Sequence, residues 1–108
     1  VLQGLLQAST PHETRLLPNY PNPFNPETWM PFDLAAAGQV AVTVYDARGR
    51  AVRRMDLGRL TPGAYRTTRD AAYWDGRNGQ GEVVAGGAYF VELATDTARQ
   101  RRRLTVLK

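Results

Sequence analysis

The sequence predicts an all-β chain folded as an antiparallel sandwich of about seven or eight short strands. Three observations carry this. Apolar residues recur with period two in several separate runs, and turn-forming residues punctuate those runs every eight to twelve positions. The third is an absence of helical pattern, since no apolar repeat with helical spacing survives past the first few residues.

At 108 residues the chain fits one domain with a sizeable core. There is no cysteine, so neither disulfides nor thiolate metal sites can contribute, and stability must come from packing. Leu2, Leu5 and Leu6 have the spacing of a helical turn that stops before Pro11, too short to persist unless it packs on something. Residues 1–17 are therefore read as a tether or short helix following an upstream region of a longer protein, and residues 18–108 as the sandwich. The short apolar start lacks the basic leader of a signal peptide and the length of a membrane span.

Tyr20-Pro21-Asn22-Pro23-Phe24-Asn25-Pro26 is stiff, because proline fixes φ and biases each preceding residue towards extended conformations. Tyr20 and Phe24 are expected to act as pegs, their burial costing little further chain entropy. From Thr28 the pattern alternates, with Thr28, Met30, Phe32 and Leu34 on one face of a strand that lies at a sheet edge or turns the Pro31 nitrogen away from its partner. Gln39 to Tyr45 is the cleanest strand, its valines at 40, 42 and 44 pointing inward. Asp46-Ala47-Arg48-Gly49-Arg50 suits a type I turn closed by a glycine bulge, returning as Ala51 to Leu57. Gly58 to Gly63 reads as a polar loop. Ala64 to Thr68 and Ala71 to Trp74 follow as short strands, and Asp75 to Gly81 as a glycine-rich turn. Ala88 to Thr95, built on Tyr89, Val91 and Leu93, is a strong strand, and Arg99 to Leu107 pairs back as the last.

The inventory argues against catalysis. Ser9 is the only serine and His12 the only histidine, both in the expected tether, and the acids are scattered singly through turns and strand faces. No catalytic residue, metal or cofactor is expected. Asp75, Asn78 and Glu82 offer oxygens that resemble a cation loop, but Arg77 lies among them and the regular acidic spacing is missing, so a plain turn is the preferred reading. Trp74 beside Tyr73 reads either as a core indole or as a sugar-stacking platform, with the alternation favouring the core.

Net charge is +4, and arginine supplies it, since Lys108 is the only lysine. Arg99, Arg101, Arg102 and Arg103 form the densest run, with Arg53 and Arg54 elsewhere. No aromatic lies between Arg99 and Lys108, so nucleic-acid binding is not expected. The run reads as a protected edge strand or as the steering patch for an acidic or anionic partner.

Taken together, Tyr20 to Pro26 with Phe32 and Leu34, Val44-Tyr45-Asp46 with Gly49-Arg50, Trp74-Asp75-Gly76, Gly81, Gly87 with Tyr89-Phe90, and Leu104-Thr105-Val106-Leu107-Lys108 resemble the C-terminal sorting domains of type IX secreted proteins. The section with Trp-Asp-Gly and Gly-x-Tyr also resembles the Ig-like domain of flagellar hook-capping proteins, and the long Thr61 to Gly81 section is closer to that type. The resemblance implies an Ig-like or fibronectin-like sandwich ending a secreted protein of the extracellular space or the surface of a Gram-negative-type bacterium. It implies recognition by outer-membrane secretion and attachment machinery, with upstream domains of the same polypeptide as cargo. The residues expected to be read are Arg101, Arg102, Arg103, Leu104, Val106, Leu107 and Lys108, on a terminal strand open to main-chain pairing, and Tyr20 to Pro26 is the structural anchor. The competing reading is a carbohydrate-binding or structural accessory module, which would expose Tyr73, Trp74 or Tyr65 in a row.

Overall fold

A computed structural model describes residues 10–107, so the helical turn expected at Leu2 to Leu6, and Lys108, lie outside the described residues. Nine strands run in chain order: β1 (Arg15–Leu16), β2 (Thr28–Met30), β3 (Phe32–Leu34), β4 (Gly38–Asp46), β5 (Ala51–Leu60), β6 (Gly63–Tyr65), β7 (Ala72–Trp74), β8 (Gly87–Ala94) and β9 (Arg99–Val106). All pair antiparallel. Four of them form one sheet in the order β5-β4-β8-β9, and the others form β1-β3-β6 and β2-β7. The chain is an Ig-like β-sandwich.

The period-two pattern does what it should. Val40, Val42, Val44, Tyr89, Val91 and Leu93 of the larger sheet and Met30, Phe32, Leu34 and Trp74 of the smaller ones are all buried in one core. Pro31 divides the expected first strand into two. Thr28, Met30, Phe32 and Leu34 keep a single buried face, yet β2 pairs β7 whereas β3 pairs β1 and β6. A residue without an N–H cannot continue a ladder, and its carbonyl instead accepts from Leu17 N at 2.9 Å. Proline here marks a change of partner inside the fold and not a free edge.

Two further expectations are corrected. The body begins at Arg15, inside the segment read as tether: Leu16 is in the core, pairing Phe32 across β3. A two-residue strand carries no periodicity, which is why it escaped the sequence reading. The return strand also runs on to Leu60, through residues read as a loop, because a register shift opposite Val40 and Ala41 lets the pairing continue past Gly58. The turn before it forms as expected. Gly49 has φ +84, its N–H donates to Asp46 O, and Asp46 Oδ1 accepts from Arg48 N and Arg50 N at 2.9 and 3.0 Å.

Candidate recognition edge

β9 lies at the margin of the four-stranded sheet, which is where an arginine-rich strand discourages unwanted pairing. Its two ends differ. Leu104 and Val106 turn inward and join the core, Leu107 is half exposed, and Arg101, Arg102 and Arg103 are exposed.

The proline-rich segment closes the inward end. Phe24 is 1% exposed and packs edge-on against the Trp74 ring, 5.5 Å between centroids. Its main chain pairs in parallel with β9: Phe24 N donates to Thr105 O at 3.1 Å, and Leu107 N donates to Phe24 O at 2.8 Å. Asn22 adds a side-chain bond, its Oδ1 accepting from Thr105 N at 3.2 Å. The terminal strand is therefore not open to a receptor along residues 105–107, contrary to the sequence reading, because the chain's own anchor occupies those groups. Only Phe24 is a buried peg. Tyr20, expected to be a second, pairs with Trp29 and lies on the outer surface, 37% exposed, with its hydroxyl donating to Arg66 O.

The rest of the anchor is held from below. Thr28 Oγ1 donates to Pro21 O at 2.9 Å, and Asn19, itself buried, donates to the same carbonyl and to Thr28. The Tyr20–Pro21, Asn22–Pro23 and Asn25–Pro26 peptide bonds are cis. Pro26 O sits over Gly76, where an added Cβ would come within 2.5 Å of it at φ +76. The anchor is thus seated between the Trp-Asp-Gly turn and the last strand. Pro23 and Asn25 are exposed.

The arginines are held differently. Arg101 Nε and Arg99 Nη1 approach Glu92 at 3.1 and 3.4 Å, and Arg101 lies over the Tyr45 ring, 5.4 Å from its centroid. Arg102 Nη1 donates to Leu16 O at 3.4 Å, while Leu16 N donates to Gln100 Oε1 at 2.7 Å. β9 thus uses two side chains to satisfy the outward main chain of β1 in the facing layer. Arg103, opposite Phe90, has no ion pair among the described residues. No feature of sequence pointed to Gln100, to the bond between Asn22 and Thr105 or to the parallel pairing of Phe24, because the partners lie at opposite ends of the chain.

The other candidate residues resolve as follows. Trp74 is fully buried, its Nε1 donating to Arg77 O at 2.9 Å, so it is a core indole. Tyr65 is half-buried and stacked on Phe32 at 4.9 Å. Tyr73 is 43% exposed, and its hydroxyl donates to Glu27 Oε1 at 2.6 Å, which pushes the phenol's pKa up. The oxygens of the 75–82 turn are engaged locally. Asp75 Oδ1 accepts from Arg53 Nη1 and Arg77 N, and Asn78 Oδ1 from Gln80 N and Glu82 N.

Comparison with known proteins gives one family match, to the FlgD Ig-like domain, over residues 28–99. No curated protein matches the chain. Among solved structures, FlgD from P. aeruginosa is 28% identical with a TM-score of 0.52, over 68% of this chain and 54% of that one. Dimeric latent PorU from Porphyromonas gingivalis is 15% identical with a TM-score of 0.64, over 87% of this chain and 9% of that one. PorZ, described as an essential surface component of the type-IX secretion system of the same organism, is 18% identical with a TM-score of 0.59, over 86% and 11%. The chain spans about half the length of that FlgD and about a tenth of PorU and PorZ. Residues 20–26 and 100–108 fall outside the family match.

Proposed function

Because the chain belongs to the FlgD Ig-like domain family, we propose that it is a non-catalytic accessory module whose task is to direct export of a larger polypeptide through a type IX secretion system to the cell surface. The observation that carries this reading is the joining of Phe24 and Asn22 to Thr105 and Leu107. The two stretches on which the sorting-domain resemblance leans most, both outside the hook-cap match, form one hydrogen-bonded unit. The sandwich likeness to PorU and PorZ is a likeness of fold and fits the same reading.

The reading places the module outside the cell, with upstream domains of its own polypeptide and outer-membrane machinery as partners. Among the described residues no helix is long and apolar enough to cross a membrane. The test is a fusion of the 108-residue chain to a periplasmic reporter in a bacterium carrying a type IX system. Reporter at the surface or in the medium, dependent on that system, is the expected result. Reporter retained in the periplasm while the fused module is folded would refute the reading.

One observation favours the carbohydrate-binding alternative. The row expected for it does not form, since Trp74 is buried, but Tyr20, Trp29 and Tyr73 line up across adjacent strands with ring centroids 6.3 and 5.4 Å apart. Trp29 is half-buried while the other tryptophan is fully enclosed, so glycan titration followed by tryptophan fluorescence reads that row selectively. An unchanged spectrum across a panel of oligosaccharides would remove the alternative.

A further inference from the structure

In an antiparallel pair, alternate residues turn their N–H and C=O towards the partner strand and the residues between turn theirs away. Thr105 and Leu107 turn theirs away from β8, towards Asn22 and Phe24. By the same alternation Arg103 and Arg101 face outward too, and no hydrogen bond meets those main-chain groups among the described residues. The neighbouring margin of β1 is already capped by Gln100 and Arg102. What stays open on this side of the sandwich includes a short window at Arg101 to Arg103. It is beside a cleft of about 300 Å³ lined by Phe90, Arg101, Arg102 and Arg103.

The charge around the window is one-sided. Arg99, Arg101, Arg102 and Arg103 meet one carboxylate, Glu92, which is already shared by two of them. The opposite margin, β5, is balanced by comparison, with Arg53 on Asp75 and Arg54 on Asp56, and its Val52 carbonyl accepts from Gly79 N.

We propose that the Arg101 to Arg103 edge receives a short extended acidic segment of a partner protein as an added strand. Main-chain pairing to Arg101 and Arg103 supplies the register, and acidic side chains on the outer face meet the same two guanidinium groups. This deepens the export reading and rests on it only for the partner's origin.

The test uses the whole chain and a nine-residue peptide of alternating glutamate and valine, with binding followed by amide chemical shifts and calorimetry. Expected are shifts centred on β9 and binding that weakens roughly tenfold when salt rises from low to about 0.5 M. Arg103→Pro removes an outward donor without breaking the β8 ladder, and it should weaken binding by about tenfold or more. Should that variant not fold, Arg103→Glu keeps the N–H and reverses the charge, with the same expectation. Equal binding by the variants, shifts centred on β5, or no binding at low salt would overturn the proposal. So would binding of a sulfated polysaccharide with the peptide inert, since that reports charge without strand addition. If the reporter is exported but the peptide does not bind, this proposal falls and the export reading stands. Peptide binding without export separates them the other way.

Discussion

At the scale of single residues, Gly76 is the most constrained position. It combines φ +76 with a carbonyl 2.5 Å from where a Cβ would stand, and the carbonyl belongs to backbone that cannot swing aside without unseating the anchor. Gly76→Ala should therefore cost about 2 kcal/mol or more, whereas Gly79→Ala, with open space around it, should change the thermal melt little. Equal melts would show that Pro26 yields. Asp33 is another fixed point, buried and held by Arg66 through two bonds of 2.9 and 2.7 Å. Because Arg66 is more than half exposed, Arg66→Ala is expected to lower the midpoint of chemical denaturation only modestly, and an unchanged midpoint would show that Asp33 is satisfied without it. The tyrosines carry a pH signature. Tyr73 is raised by its bond to Glu27 and Tyr89 by burial, so both hold their protons more tightly folded than unfolded. That contribution is complete below an ordinary tyrosine pKa of about 10 and lost as pH rises through the folded values. In an ultraviolet titration, the signal lost in Tyr73→Phe and in Tyr89→Phe should lie at higher pH than in the unfolded chain, and Glu27→Gln should bring the Tyr73 signal down; signals at the unfolded position would contradict it.

At the scale of elements, legibility followed periodicity. β4 and β8 could be read directly because each has one face in the core, and Val40, Val42 and Val44 or Tyr89, Val91 and Leu93 record it as alternation. β5 was legible only in part, since its residues are half-buried or exposed along its length and its far end passes through a bulge at Gly58. β1 was invisible, and so was the parallel pairing of Phe24, because no local pattern encodes a partner at the other end of the chain. The candidate site divides the same way. Its arginines and the anchor could be named from sequence, but not that one shuts part of the strand carrying the other. The consequence is measurable. Phe24→Ala should cost about 3–5 kcal/mol, as for other buried aromatics. Deleting residues 104–108 should destabilise the fold by at least as much, since Leu104 and Val106 leave the core and Phe24 loses its main-chain partners. Thermal melts within a degree or two of the parent would show the anchor to be self-sufficient.

At the scale of the whole molecule, the sandwich is sealed by contacts between sequence-distant stretches: Leu16 meets Gln100 and Arg102, and Phe24 meets Thr105 and Leu107. Topologies of this kind fold slowly, because chain must be closed into long loops before the pairing rewards it. Since synthesis runs from the N-terminus, neither seal can form until the final residues described here have left the ribosome. Until then Phe24 lacks the main-chain partners that hold it against Trp74, and β1 has no side chains to cap it. The same seam that ties anchor to last strand therefore reports whether the sandwich is closed: a polypeptide broken off before Thr105 presents an unclosed sandwich, distinguishable by shape from one in which β9 is present.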